Sequence, residues 1–346
     1  MSKTRVAING FGRIGRTFFR MAYEHPDFEV VAINDLGDAE NLAYLLTYDT
    51  AYGRGPYTVS VADKKLVVNG RSIDFLSERE PTKLPWKDLN IDVVVEATGV
   101  FASYEKAKVH LASGAKRVVI SAPVKDDPEA ANVKGATVLM GVNESALSTC
   151  DISSNASCTT NAASPLVAIL KKSIGIEKAF LNTVHAYTST QALIDGPNKK
   201  DFRKGRSAAQ NIIPTSTGAA VATTKAHTDL EGKFDGIAMR VPVPVGSIID
   251  ITFLASRATT VDEINKVLRD AATSEEWSNI FAVTEEPLVS SDIIGAHYAS
   301  IADLAFTRVV DGDLVKVLAW YDNETSYTHT LVQHVAATAK FLSKEG

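Results

Sequence analysis

The feature that most constrains this chain is Gly10-Phe11-Gly12-Arg13-Ile14-Gly15, set between a β-branched run, Arg5–Asn9, and a helix-forming one, Arg13–Tyr23. Three glycines at this spacing let a strand turn sharply into a helix, bring backbone close to a bound group and let the helix pack tightly on its strand. The first turn of such a helix carries N–H groups with no partner inside the helix, which suits a pyrophosphate. A glycine turn can also serve packing alone, so its context matters. A second strand, Glu29–Asn34, runs into Asp35, twenty residues after Gly15. A carboxylate there can accept hydrogen bonds from an adenosine ribose. It would repel a 2′-phosphate, and Leu36 and Gly37 supply no arginine to hold one, so the pattern favours NAD over NADP.

Apolar strands and helices continue to alternate. Asp92–Ala97, Arg117–Ser121 and Thr137–Met140 read as strands, with a helix over Tyr104–Ala112. Tyr57–Val61 and Lys65–Val68 read as an inserted hairpin, followed by a short strand at Ser72–Leu76. This pattern predicts a doubly wound α/β domain with a parallel sheet. After Cys158 it changes. A helix from near Cys158 to Lys172 precedes longer strands at Ala179–His185, Gly236–Val241, Ser247–Ala255 and Leu314–Tyr321, with a helix at Val261–Thr273. That half predicts an α+β domain with a mixed or antiparallel sheet. The last helix, Thr328–Phe341, is expected to return to the first domain.

Composition narrows the class of function. A net charge of −5 and scattered basic residues argue against nucleic acid as the primary partner. No apolar run approaches the ~18 residues that span a bilayer, and MSKTRVAING enters a strand-like run without an apolar leader. The two cysteines, Cys150 and Cys158, have neither metal-ligand spacing nor a disulfide framework. The expectation is a soluble, cytoplasmic chain with no metal site, in a compartment that keeps thiols reduced.

Cys158 lies where the polar turn Ser153–Ser157 gives way to an apolar-periodic helix. A thiol at a helix N-terminus feels the positive end of the helix dipole, which favours the nucleophilic thiolate. Cys150 has no such setting and reads as inert. A thiolate needs a base, and His185 closes the apolar strand Phe180–His185. A histidine at a strand end can equally be structural, and the residues alone leave both readings open.

Six segments then carry a resemblance: AINGFGRIGR (Ala7–Arg16), SNASCTTN (Ser154–Asn161), HAYTSTQ (His185–Gln191), NIIPTSTGAA (Asn211–Ala220), RVPVP (Arg240–Pro244) and WYDNE (Trp320–Glu324). In order and spacing they resemble the phosphorylating glyceraldehyde-3-phosphate dehydrogenases. The resemblance implies Cys158 as nucleophile and His185 as its base, with Ser157 and Thr159 flanking the substrate. It implies that Thr188 and Arg240 hold the substrate's C3 phosphate, and that Thr217 and Gly218 belong to the inorganic-phosphate site. For NAD it implies Gly10, Gly12, Gly15, Arg13 and Ile14 at the pyrophosphate and Asp35 at the ribose. Arg79 and Ser121 are further contacts, and Asn323 orients the nicotinamide carboxamide. It implies residues 1–157 as an NAD-binding domain completed by a C-terminal helix over 323–346, residues 158–322 as the catalytic domain, and a homotetramer.

Three positions depart from the family's common pattern. Ala162 stands where many members have a second cysteine, Thr325-Ser326 where many have an aromatic residue and glycine, and Lys204 where many bacterial members have arginine. The nearest rival, erythrose-4-phosphate dehydrogenase, usually lacks the counterparts of Thr188 and Thr217-Gly218, so the triose reading is preferred. A binding protein that uses the cofactor groove for RNA is disfavoured by the acidic balance.

Overall fold

The computed structural model describes residues 3–345, so residues 1, 2 and 346 of the expected domains lie outside the described residues. Two compact units divide the chain after Ala156 and after Tyr327, and the stretch from Thr328 onward belongs to the first unit.

The first unit contains β1 (Thr4–Asn9), α1 (Arg13–Ala22), β2 (Phe28–Asn34), α2 (Ala39–Thr47) and a two-residue ladder of β3 (Tyr48–Asp49) with β4 (Gly53–Arg54). It continues through β5 (Val59–Ala62), β6 (Lys65–Val68), β7 (Arg71–Leu76), β8 (Val93–Glu96), α3 (Tyr104–Ala112), β9 (Arg117–Ile120), β10 (Gly135–Thr137) and β11 (Ile152–Ser154). The sheet order is β10-β11-β9-β8-β1-β2-β7-β6-β5. The strands from β10 to β7 pair in parallel, and the β5–β6 hairpin adds antiparallel at one edge. Every residue of β8 and β9 is buried, as expected of strands covered on both faces. The order runs outward both ways from β1. Right-handed crossovers then put the helices on opposite faces, and a crevice opens at the carboxyl ends of β1 and β8.

The second unit contains α4 (Cys158–Ser173), β12 (Ile176–Ala186), β13 (Ile213–Ser216), α5 (Ala219–Thr224), β14 (Phe234–Val241), β15 (Ser247–Ala255), α6 (Val261–Ala272), β16 (Phe281–Thr284), β17 (Ser300–Val310) and β18 (Leu314–Tyr321). Its sheet, β13-β14-β12-β15-β18-β17-β16, is mixed, with β12–β14 and β16–β17 parallel and the other pairs antiparallel. Along β15 and β18 buried and partly exposed residues alternate, the signature of a sheet with one core face. Helix α4 packs across β12, β15, β17 and β18.

The final helix, α7, spans Thr325–Glu345 and so begins three residues before its expected start. Asp322 explains the difference, because its Oδ1 accepts from the N–H groups of Glu324 and Thr325, each at 2.8 Å. Ser326 joins in: its hydroxyl donates to the Ala296 carbonyl and accepts from the Asp322 N–H, both at 3.0 Å. The Thr325-Ser326 departure therefore opens a helix.

Candidate active site

In the first unit, close packing requires two of the three glycines of the turn. Gly10 has φ +98°, and a Cβ there would stand 2.7 Å from the Ala97 carbonyl carbon. A Cβ on Gly15 would sit 2.1 Å from the Gly10 oxygen, whereas one on Gly12 would meet nothing within 4 Å. Two glycines thus serve close packing and the third faces open space. Gly12 also caps α1 without a side-chain hydrogen bond, which suits an arriving anion.

A cavity of about 380 Å³ opens beside this turn, lined among others by Gly10, Gly12, Asp35 and Arg79. It lies where the carboxyl ends of β1, β2 and β8 meet, at the point where the strand order reverses. Asp35 has a structural duty as well: Oδ2 accepts from the Phe11 N–H at 2.6 Å and Oδ1 from the Gly37 N–H at 2.7 Å. Each oxygen keeps a lone pair for a ribose hydroxyl. The residues fit a dinucleotide. Arg13, Ile14 and Gly15 form the first turn of α1, where Arg13 Nη1 pairs with Asp49 Oδ2 at 2.5 Å. Ser121 follows β9 and is not among the cavity's lining residues.

In the second unit Cys158 is the first residue of α4. Ser157 is its N-cap, with Oγ accepting from the Thr160 N–H at 3.1 Å. Cys158 Sγ lies 3.3 Å from His185 Nε2. His185 stands on the buried face of β12 with Leu181 and Thr183, and its Nδ1 donates to the Ala186 carbonyl at 2.6 Å. That tautomer leaves Nε2 bare and aimed at sulfur. Arg240, the registered partner of His185 on β14, places Nη1 2.9 Å from Nδ1 and donates to the same carbonyl at 3.0 Å. Among the described residues no acceptor meets its buried Nε.

Burial opposes charge on either partner. It pushes the Cys158 thiol up, while Arg240 and the Thr159 hydroxyl pull the thiol back down. Burial, joined by the Arg240 charge, pushes His185 down to about 3. At 3.3 Å from sulfur, Nε2 is placed to accept the thiol proton. Cys150 has no such partner. Its Sγ donates to the Ala146 carbonyl at 3.1 Å, and burial raises the thiol to about 11.

Tyr321 escaped the sequence reading. Its hydroxyl lies 2.9 Å from both Thr159 Oγ1 and Thr183 Oγ1, and its ring meets His185 edge-on at 5.9 Å. Burial and the neighbouring Cys158 keep the phenol protonated. Its position two residues before Asn323 in the WYDNE segment was the available signal. Asn323 Oδ1 accepts from the Gly246 N–H at 3.1 Å and from the Ser247 hydroxyl at 3.0 Å, which fixes the orientation of its amide.

Thr188 and Arg240 are not bonded to each other. Thr188 Oγ1 pairs with Thr190 Oγ1 at 2.9 Å. In the β13–β14 ladder Ile213 is level with Arg240 and Ser216 with Ile237, so Thr217 and Gly218 lie beyond the end of β13 remote from Arg240. Lys204 is half-buried within a short 3₁₀ turn, Phe202–Gly205.

Comparison with known proteins accounts for both units. Residues 4–104 match the model of the glyceraldehyde 3-phosphate dehydrogenase NAD binding domain, and residues 157–323 match that of the C-terminal domain. Glyceraldehyde-3-phosphate dehydrogenase of Clostridium acetobutylicum is 47% identical over 341 residues, covering 97% of this chain and 98% of that one. The Geobacillus stearothermophilus enzyme is 46% identical, with 97% and 98% covered, and enzyme 1 of Bacillus subtilis is 45% identical over the same shares. The chain belongs to the glyceraldehyde-3-phosphate dehydrogenase family.

Within that family its cofactor is NAD, and the fold is the expected Rossmann-type NAD domain with a catalytic domain built on a mixed sheet. Ala162, the position of the second cysteine in many members, is buried one turn beyond Cys158 on α4. Among the described residues no helix is long and apolar enough to cross a membrane.

Proposed function

We propose that this chain oxidises glyceraldehyde 3-phosphate with NAD and inorganic phosphate to 1,3-bisphosphoglycerate, through a thioester on Cys158. The observation that carries this reading is the Cys158 sulfur at the first position of α4, 3.3 Å from the bare Nε2 of His185. The thiol proton passes to Nε2 as sulfur attacks the aldehyde carbon, a C–S bond forms while the carbonyl pair moves to oxygen, and Nε2 hands that proton to the new oxyanion to give the hemithioacetal hydroxyl. Bound NAD supplies the acceptor for the hydride that leaves this carbon. His185 takes the hydroxyl proton as the carbonyl re-forms, leaving a thioester. A phosphate oxygen then attacks, the C–S bond breaks and the thiolate is regained.

Ser157 and Thr159 flank the reacting carbon in this reading. Thr188 and Arg240 hold the C3 phosphate, for which the unpartnered Arg240 Nε is the support, and Thr217 with Gly218 receive inorganic phosphate. Gly10, Gly12, Arg13, Ile14 and Gly15 take the pyrophosphate, Asp35 the ribose, Arg79 and Ser121 further parts of NAD, and Asn323 the carboxamide. Leu193, Ile194 and Phe202, 70%, 77% and 86% exposed, lie in the segment that follows His185. Such an apolar surface favours assembly, here a homotetramer, which sedimentation equilibrium would test. The setting is cytoplasmic, which cell fractionation would test.

The deciding assay is NADH formation from glyceraldehyde 3-phosphate and from erythrose 4-phosphate, each with and without phosphate. Phosphate-dependent turnover of the triose is expected, and a preference for erythrose 4-phosphate would overturn the reading.

Cofactor choice gives a second expectation. Asp35 would face a 2′-phosphate, and like charges in contact should make kcat/KM for NAD exceed that for NADP by about a hundredfold or more. Asp35→Asn should narrow the ratio even if the glycine loop loosens, because loosening acts on both cofactors. An unchanged ratio would contradict the role given to Asp35.

A further inference from the structure

Glu96 interrupts an apolar strand, Val93–Glu96, and is 1% exposed. Among the described residues no lysine or arginine pairs with it. Four hydrogen-bond donors meet its two oxygens instead. Asn9 Nδ2 donates to Oε2 at 2.6 Å and His110 Nε2 donates to the same atom at 3.0 Å. The Thr98 N–H donates to Oε1 at 2.9 Å, and so does the Thr98 hydroxyl. Trp86 Nε1 donates to His110 Nδ1 at 3.1 Å, which puts the ring proton on Nε2, pointing at Glu96. Four donors thus meet the lone pairs of the two carboxyl oxygens. Burying such a group is costly, and a position needing only packing would hold another valine.

These bonds lead to three walls of the cavity beside the glycine turn. Asn9, at the end of β1, uses Oδ1 to accept from Asn34 Nδ2 at 2.7 Å, at the end of β2. Asn34 Oδ1 in turn accepts from the Glu78 N–H at 2.8 Å. Thr98, just past β8, accepts from the Val100 N–H at 3.0 Å through the hydroxyl that Glu96 orients. Asn9, Asn34, Glu78, Thr98 and Val100 all line the cavity, whereas Glu96 and His110 do not.

We propose that Glu96 is a positioning residue for the cofactor: through Asn9 and Thr98 it fixes three strand ends in the arrangement that admits the adenosine half of NAD. This rests on the reading that the cavity receives that half. His110 holds Glu96 in turn. A glutamine at 96 has one acceptor oxygen and an amide that confronts two of the four donors, so one wall loses its anchor whichever way it turns.

The test measures equilibrium binding of NAD and of AMP to the full chain, beside steady-state kinetics. Glu96→Gln should weaken both ligands by about tenfold or more. It should leave kcat at saturating NAD and the KM for the triose within about twofold, because the reacting groups lie elsewhere. His110→Gln keeps an amide donor where Nε2 stands and should bind AMP as the wild type does. His110→Asn places its amide at the Nδ1 position, keeps Trp86 and loses Glu96, and should bind AMP more weakly. AMP affinity that is unchanged in both Glu96→Gln and His110→Asn overturns the proposal. If Glu96→Gln does not fold, the two His110 variants decide, since a merely structural role would not separate them in AMP affinity. Wild-type protein that binds NAD but not AMP overturns the reading of the cavity itself.

Discussion

Cys158→Ser is expected to abolish phosphate-dependent NADH formation, with a fall of about 10⁴-fold or more, the scale on which removal of a covalent nucleophile acts. Serine fits the first position of α4, and its oxygen would still reach Nε2. What it lacks is ionisation. Burial already pushes the Cys158 thiol up, and the same burial acts on a hydroxyl that starts several units higher. The variant should still bind NAD, because the glycine turn and its cavity use no atom of Cys158. Steady-state assay beside NAD titration separates the two. A serine variant retaining a tenth of the activity would rule out the thioester.

His185→Asn is expected to slow turnover by about 10²–10⁴-fold, the usual contribution of a positioned base. The second consequence is more specific. Nε2 stands 3.3 Å from the thiol sulfur, so removing the ring removes the nearest acceptor and the cationic partner a thiolate would have. The pH at which iodoacetate alkylates Cys158 should therefore move upward. Arg240 still pulls the thiol down in this variant, so the shift should be partial. An alkylation profile identical to wild type would mean that His185 does not accept the thiol proton.

What was legible in the sequence is what neighbours in the chain determine. The glycine turn, the carboxylate after β2 and the start of α4 at Cys158 depend on a few consecutive residues, and the structure places the turn and the helix start where those residues predict. Residues whose partners are distant in the chain were not legible. Tyr321 gains its place from Thr159 and Thr183, and Glu96 gains its own from Asn9 and His110. Strand β17 went unread because its pairing with β18 shifts register between Asp303 and Arg308, which breaks the alternation that marks a half-buried strand. Helix α2 went unread for a similar reason. Only Leu42, Ala43 and Leu46 of it are buried, too short a stripe to stand out.

The pairing of His185 with Arg240 also limits how relatives of this chain can diverge. The two are level on adjacent parallel strands, and their meeting depends on counting from the strand starts. Side chains on a strand change face at every residue, so one residue inserted between Phe234 and Arg240 would keep the ladder paired yet swing the guanidinium to the opposite side of the sheet. Substitutions inside β12 and β14 are therefore open to drift wherever packing allows, but a change in their length is not.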